Sequence, residues 1–532
     1  MSDKITPRIL YGIVMDLVSL GPRITGSDAE RSAADYIVRA FDAAGLERVA
    51  TESFQIRSYD AQTPTLIARA KGVEHVIPAC AIWYTEGGTV TAPAIDMGMG
   101  TPGDFSAIDP QGKVAVVQSR VLLNYYPTHS MLATYRQAEA VGAAAYIAWI
   151  DAPFDLAPRY NHLKEDHPSG KIPGLLLSRG DGMFLQSLLD AHGEALSLEV
   201  SLDATETWAE TGDVVGYLPG TDDVIIIGSH YDSVFDGAVD NAAANAGLIA
   251  LAHWAAERKE TLPTLIFCAH PGHEVNVGAR EFVKNHTDEI DRAFLYFSLD
   301  GFASSGFSWN PDGVIPTGGD EKRAVSVSDN PLLLSIAIDA IRTHRLLPAA
   351  YVPASNIIFN RDLEGRFYEL GVPTLMVIGK PIWYHTRQDT ADKVTPDQLY
   401  RSFLAHADIL EGVIKAGPDK IRAADRSTHE DVIGGFLQKE ARETGSGDGT
   451  AVSFGCLPEP ARAGEPTLFF INDFAHGGDV VVDIVWDFGD GDTARGPVLP
   501  HTYTEPGRKV VRLSMIDASG RTAAFERVLW VI

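Results

Sequence analysis

The segment from residue 224 to residue 247 constrains the fold of this 532-residue chain more than any other. It opens with the aliphatic run VIII at residues 224–227, which predicts a buried strand. His230 and Asp232 follow directly, and Asp240 stands before a run of small residues that predicts a closely packed helix. A strand that ends in His-x-Asp and leads into such a helix is typical of a metal site at the C-terminal edge of a sheet.

Strand and helix patterns alternate from residue 211 to about residue 416. Strand-like runs at 224–227, 264–269 and 294–299 are separated by helix-like segments at 243–258 and 279–286. This alternation predicts an α/β fold with a mixed, mostly parallel sheet and helices on both of its faces. In such sheets the chemistry lies in the loops beyond the C-terminal ends of the strands.

The bulk composition argues against several classes of partner. Lysine and arginine number 44 against 71 aspartates and glutamates, so the formal net charge is −27. This charge repels nucleic acids and anionic membrane surfaces. The N-terminus lacks the apolar core of a secretion signal, and no segment approaches the ~20 apolar residues of a membrane span. We therefore expect a cytoplasmic protein without nucleic-acid or membrane partners, although a secreted protein with a processed or recloned N-terminus would have the same sequence; the oligomeric state is left open.

Five polar residues at or after predicted strand ends form a set of ligands for two cations. They are His230, Asp240, Glu274, Asp300 and His385. A two-cation site holds its metals ~3.5–4 Å apart, with nitrogen and oxygen ligands and room for a shared water. One histidine or aspartate at a strand end is usually a cap or a hydrogen-bonded loop residue, but five of the right types are hard to assign to chance. The sequence therefore predicts a dinuclear metal centre of a hydrolase.

The order of these motifs resembles that of the M28 family of zinc peptidases, which includes bacterial aminopeptidases. The matching pieces are HYDS at 230–233, DN at 240–241, GHE at 272–274, LD at 299–300 and YHT at 384–386. The resemblance covers residues 1–60 and 205–415, and PRITGS at 22–27 also fits the family. It implies two Zn²⁺ per chain, with Mn²⁺ or Co²⁺ as alternatives.

The resemblance also implies a role for each ligand. His230 and Asp300 are expected on one metal, Glu274 and His385 on the other, and Asp240 between them. Asp232 is expected to orient the ring of His230, as outer carboxylates do in many metal sites. Tyr384 stands where the family has the residue that donates to the developing oxyanion.

His273 departs from the family pattern. At this position the family has a glutamate, the general base that accepts a proton from the metal-bound water. An imidazole can accept that proton too, but it is bulkier, and two dications repel its protonated form. Three interpretations stay open: His273 is a substituted base, an additional ligand, or the mark of a changed activity.

The chain is predicted to contain five segments. Residues 1–60 and 203–416 form the peptidase-like domain that holds the two metals, and residues 61–202 form an inserted β-rich domain that resembles a protease-associated domain. Residues 417–449 are a linker, and residues 450–532 form a β-sandwich that resembles a PKD domain of the immunoglobulin type. The motif WDFGDG at 486–491 carries that last resemblance.

The predicted function is hydrolysis of an amide bond in a peptide by an M28-type aminopeptidase with histidine in place of the usual base. Two alternatives stay open: an amidohydrolase that acts on a small non-peptide amide, and a catalytically silent metal-binding interaction protein. Three more residues carry less weight. Arg361 fits the family's Arg-Ser-Asp segment poorly. His162 and His167 are interpreted as solvated loop histidines in preference to residues that line a substrate cleft.

Overall fold

A computed structural model of the chain describes residues 5–532. The exceptions are residues 101, 121–130, 152–164, 166–167, 259–261, 276, 311–312, 355–362, 380–382, 428–449, 458–460, 477–479 and 519. The described residues form three parts: a central sheet with its helices, an insertion between the first two strands of that sheet, and a C-terminal β-sandwich. Within the described residues, no helix is long and apolar enough to cross a membrane.

The described residues form both helices and strands. The helices are α1 (Pro7–Ser19), α2 (Asp28–Ala44), α3 (Pro102–Ala107), α4 (Met131–Ala140), α5 (Arg179–His192), α6 (Ala243–Ala256), α7 (Arg280–Asn285), α8 (Thr287–Arg292), α9 (Pro331–Thr343), α10 (Glu364–Glu369), α11 (Pro396–Ala416) and α12 (Pro418–Ala424). The strands are β1 (Glu47–Ala61), β2 (Thr65–Ala70), β3 (Val73–Ile77), β4 (Cys80–Ala81), β5 (Gly88–Asp96), β6 (Val114–Arg120), β7 (Ala145–Asp151), β8 (Gly174–Leu177), β9 (Ser197–Leu202), β10 (Ala204–Leu218), β11 (Thr221–His230), β12 (Pro263–His270), β13 (Ala293–Ser298), β14 (Ser305–Asn310), β15 (Gly313–Asp320), β16 (Arg323–Val327), β17 (Ala349–Pro353), β18 (Thr374–Gly379), β19 (Thr450–Leu457), β20 (Pro466–His476), β21 (Val481–Asp487), β22 (Thr493–Arg495), β23 (Val498–Thr502), β24 (Gly507–Asp517) and β25 (Thr522–Val531).

The central sheet has the order β1-β10-β12-β11-β13-β18-β16-β17. Strand β11 runs parallel to both of its neighbours, β12 and β13, and β13 runs parallel to β18. Antiparallel pairs lie nearer the two ends of this order, between β1 and β10, β10 and β12, and β16 and β18. The predicted α/β fold with a mixed sheet is confirmed.

Helices cover both faces of this sheet because its strands are apolar on both sides. Ile225 and Ile227 face the layer that contains α1, α2, α6, α9 and α11. Ile226 points the other way, into a cluster that contains Phe282 of α7 and Phe367 of α10. Helix α6 packs closely, and a Cβ atom at its Gly247 would lie only 2.5 Å from the ring of Phe302. The run of small residues after Asp240 is therefore a packing requirement.

The insertion begins and ends at adjacent positions. Strands β1 and β10 pair in antiparallel fashion along most of their length, and Ala61 lies opposite Ala204. Between them, an eight-stranded sheet in the order β3-β2-β9-β5-β6-β7-β8-β4 carries helices α3, α4 and α5. The described residues of this part therefore combine an eight-stranded sheet with three helices. The exact domain limits given above, and the likeness to a protease-associated domain, stay predictions.

The C-terminal part is a sandwich of two antiparallel layers, β19-β20-β23 and β22-β21-β24-β25. Trp486 and Phe469 lie at the centre of its hydrophobic cluster. A parallel pairing of Val481 with Ala350 joins this sandwich to β17 of the central sheet. Helix α12 occupies the start of the predicted linker 417–449, and residues 428–449 lie outside the described part of the chain.

Candidate metal centre

The predicted ligands meet because their strands are adjacent and parallel. Strand β11 ends at His230, which lies level with the last residue of β12. Glu274 follows in the turn after β12, and Asp300 comes two residues after the end of β13. His385 follows β18, the next strand across the sheet. Parallel strands present their C-terminal ends at one edge, so the four loops converge there.

Asp240 lies between two imidazole groups. Its Oδ1 atom is 3.3 Å from Nε2 of His230, and its Oδ2 atom is 3.2 Å from Nε2 of His385. Each imidazole also faces a carboxylate of its own. Nε2 of His230 is 3.7 Å from Oδ1 of Asp300, and Nε2 of His385 is 2.8 Å from Oε2 of Glu274. All five predicted ligands are thus brought together, in two groups that share Asp240.

The charge of this cluster suits divalent cations. Burial lowers the pKa of the His230 imidazole, but the surrounding carboxylates, Asp232 foremost, outweigh burial and raise that pKa well above its ordinary value. Burial likewise lowers the pKa of His385, but Glu274 and Asp240 raise it to about 9. Buried carboxylates in excess of cations need positive charge beside them.

The donor atoms of this cluster, like its charge, suit a bound metal ion. Nε2 of His230 is fully buried and makes no hydrogen bond within the described residues. A buried nitrogen without a hydrogen-bond partner is costly in a protein interior unless another group coordinates it. Imidazole nitrogens combined with carboxylate oxygens are the ligands that zinc and manganese accept in proteins. The residues present therefore fit a bound divalent metal.

Asp232 contacts both His230 and the turn that carries Glu274. Its Oδ1 atom lies 3.3 Å from Nδ1 of His230, and its carboxylate accepts hydrogen bonds from the backbone N–H groups of His273 (3.1 Å) and Glu274 (3.0 Å). The hydroxyl of Thr25 donates to the same carboxylate at 3.2 Å. Burial raises the pKa of Asp232, but the hydrogen bond from His230 and these other contacts hold it below its ordinary value. Asp232 therefore lies beside the ring of His230, and its orienting role stays a prediction.

His273 and Tyr384 both stack on rings of candidate ligands. The imidazole of His273 lies against that of His230, with ring centroids 4.2 Å apart and planes at 26°. One ring nitrogen of His273 lies within 4.8 Å of donor atoms of His230 and Asp300. The ring of Tyr384 stacks on His385 at 3.7 Å and is buried. Both residues therefore line the cluster, whereas Arg361, His162 and His167 lie outside the described residues.

Sequence reasoning assigned no role to two residues that hold the loop containing Asp240. Asp389 accepts hydrogen bonds from the backbone N–H groups of Val239 (2.8 Å) and Asp240 (3.1 Å). Arg23 is buried and donates to the backbone oxygens of Tyr231, Asp236 and Gly237. Arg23 falls within the motif PRITGS that the family resemblance included, and Asp389 lies three residues after the motif YHT, so these motifs were the available signal.

The side chains of Asn241 and Asn245 link the end of β11 to the loop that follows β13. Asn245 donates to the backbone oxygen of His230 at 2.6 Å and to that of Asn241 at 2.8 Å. The side chain of Asn241 donates to the backbone oxygen of Leu299 and accepts from the N–H of Gly301. These contacts fix the backbone on both sides of Asp300.

The fold and the buried ligand set define the class of this protein, a metal-dependent hydrolase with its site at the C-terminal edge of an α/β sheet. Residues 213–409 match the model of Peptidase family M28, and residues 458–529 match that of the PKD domain. The resemblance indicated by the motifs is confirmed. The chain carries an M28 peptidase domain and a C-terminal PKD domain, and it is a metal-dependent peptidase.

Solved structures share this fold. An aminopeptidase from Aneurinibacillus sp. strain AM-1 is 23% identical, with a TM-score of 0.55 over 79% of this chain and 94% of its own. BSAP, a zinc aminopeptidase from Bacillus subtilis, is 19% identical, with a TM-score of 0.59 over 80% of this chain and 98% of its own. A peptidase M28 precursor from Shewanella amazonensis is 17% identical, with a TM-score of 0.60 over 75% and 92%. No curated protein sequence matches the chain.

Proposed function

We propose that this protein is an aminopeptidase that binds two Zn²⁺ ions and removes residues from the N-terminus of peptides. One observation carries the proposal. The two oxygens of Asp240 face two different imidazoles, and each imidazole faces a further carboxylate. A carboxylate in this position suits a bridge between two metals. Zinc is proposed because the ligands fit it and because the printed name of the Bacillus subtilis structure is that of a zinc aminopeptidase.

Five residues would hold the metals in this proposal. His230 and Asp300 would bind one ion, Glu274 and His385 the other, and Asp240 both. Zinc bound there would polarise the scissile carbonyl and make a water nucleophilic at neutral pH. Asp232 would keep the ring of His230 in its binding orientation through the contact with Nδ1.

His273 is the proposed general base. The stacking contact with His230 holds its ring beside the ligand groups of His230 and Asp300. A base must come within hydrogen-bond reach of the proton that it accepts, directly or through one water. After bond cleavage, the same ring would hand the proton to the leaving amine. Tyr384, held against His385, would donate a hydrogen bond to the negative oxygen of the tetrahedral intermediate.

A digestion of a mixed peptide library tests the proposal. We expect release of single N-terminal residues, no cleavage of the same peptides when their N-termini are acetylated, loss of activity with EDTA, and recovery on addition of Zn²⁺. Cleavage of small acylated amides but not of peptides would instead support the amidohydrolase alternative, which the histidine at position 273 favours. A metal-loaded protein that cleaves neither class would support the silent binding protein and contradict the proposal.

A further inference from the structure

The turn His273–Val275 is held from two directions. On one side, the carboxylate of Asp232 accepts the backbone N–H groups of His273 and Glu274. On the other side, the backbone oxygen of Val275 accepts a hydrogen bond of 3.0 Å from the N–H of Glu165, a residue of the insertion. Three consecutive residues of the turn therefore have their main chain fixed by groups outside it.

The side chain of Glu165 makes a second contact just beyond this turn. Its Oε2 atom pairs with Nη1 of Arg280 at 2.8 Å, and its carboxylate is largely buried. Arg280 begins α7, and its own N–H donates to the backbone oxygen of Val277. Glu165 thus binds the segment of Glu274 at both ends, through Val275 and through Arg280. Removal of one partner from an ion pair with this degree of burial costs more than removal from an exposed pair, because the remaining charge is poorly solvated.

Arg57 of β1 ties Glu165 to the base of the insertion. Its guanidinium donates to the backbone oxygen of Glu165 at 2.6 Å, and its backbone N–H donates to Oε1 of Glu165 at 3.3 Å. The same guanidinium binds Ser169 at 2.6 Å and Glu206 of β10 at 3.0 Å. Glu165 is therefore fixed to the β1–β10 pair from which the insertion emerges, and it reaches the metal centre from there.

We propose that Glu165 is a positioning residue that couples the insertion to the metal centre by holding the turn that carries His273 and Glu274. The inference rests on the proposed function in one respect, that Glu274 binds a metal. Loss of the Glu165 carboxylate releases Arg280 and loosens the turn, so the Glu274 ligand group is held less firmly. The contacts that orient ligands from outside are worth about 10–100-fold in metal affinity or activity. Glu165 acts through the backbone of the turn, so we expect an effect near the lower end, about tenfold.

The test compares Glu165→Ala, Glu165→Gln and Arg280→Ala with Glu281→Ala. Glu281 is a matched control because it pairs with the same Arg280 at 3.0 Å but belongs to α7 and not to the insertion. Three quantities are measured on the full-length protein: amide hydrogen exchange of the peptide covering 272–279, zinc affinity by chelator competition, and kcat with KM. Thermal unfolding of each variant verifies that it is folded.

For Glu165→Ala we expect faster exchange in 272–279, zinc affinity weaker by about tenfold, and a lower kcat with KM nearly unchanged. Glu165→Gln keeps an acceptor for Arg280 and should recover part of the loss. The double variant Glu165→Ala/Arg280→Ala should show no further loss beyond that of Glu165→Ala, because both substitutions break the same contact. Glu281→Ala should stay within about twofold of the parent.

Parent-like exchange and zinc affinity in folded Glu165→Ala would overturn the inference, as would an equal effect of Glu281→Ala. The hydrogen-exchange result does not depend on peptidase activity or on zinc. A protein that shows the exchange change but binds no metal would therefore contradict the proposed function and leave the contact between Glu165 and the turn intact.

Discussion

Asp240→Asn is expected to remove at least one metal from the protein and to lower kcat/KM by more than about 10²-fold, the upper range for the loss of a supporting contact in a metal site. The reason is the position of the side chain. Its two oxygens lie 3.3 Å and 3.2 Å from two different imidazoles, so each oxygen of this one carboxylate faces a different histidine. Asparagine keeps the volume of the residue but offers a single neutral oxygen, so packing should be preserved while the shared charge is lost.

Asp236→Ala is the matched control for this change. Asp236 lies in the same loop, and the contact that its backbone oxygen makes with Arg23 does not require the side chain. The control should keep its metals and stay within about twofold of the parent in activity. Metal content and kcat/KM are measured on both variants. An Asp240→Asn protein that retains two metals and parent-like turnover would contradict the bridging role.

His273→Ala is expected to reduce kcat by about 10²–10⁴-fold, the usual contribution of general-base catalysis, while both metals stay bound. The ring lies against that of His230, and one of its nitrogens lies within 4.8 Å of donor atoms of His230 and Asp300. His273→Glu introduces the residue that the M28 family has at this position and should be more active on peptides than His273→Ala.

Metal content separates the three interpretations of His273. Loss of a metal from His273→Ala would make His273 a ligand. Turnover equal to the parent would place the base elsewhere. If His273→Glu is no more active on peptides than His273→Ala, while both variants keep their metals, the site would be adapted to a substrate other than a peptide. His344→Ala, at a surface histidine paired with Asp408, controls for the loss of an imidazole in general.

The α/β architecture could be predicted from the sequence because its signals are local. The strand that ends at His230 is apolar on both faces, which marks a strand covered by helices on both sides. The antiparallel pairing of β1 with β10 could not be predicted in the same way. Those strands are separated by the whole insertion, and pairing between distant segments leaves no periodic pattern in either of them.

The convergence of the five candidate ligands could be predicted because each of them follows a strand, as Asp300 follows β13. The residues that fix the ligands were harder to predict, because they act on the main chain across long separations. Arg23 contacts the backbone of Tyr231 across 208 residues, and the N–H of Glu165 in the insertion donates to the backbone oxygen of Val275. A backbone oxygen or N–H group is the same for every residue type, so the sequence of the recipient segment carries no trace of such a contact.

The central claim is a dinuclear metal centre, and the metal content of the purified full-length protein tests it most directly. Elemental analysis after gel filtration, with titration of zinc into the chelator-treated protein, should give close to two zinc ions per chain, since two imidazoles with separate carboxylates share Asp240. A stoichiometry of one would contradict the two-metal arrangement. A protein that contains no divalent metal and takes up none on titration would contradict the metal centre itself.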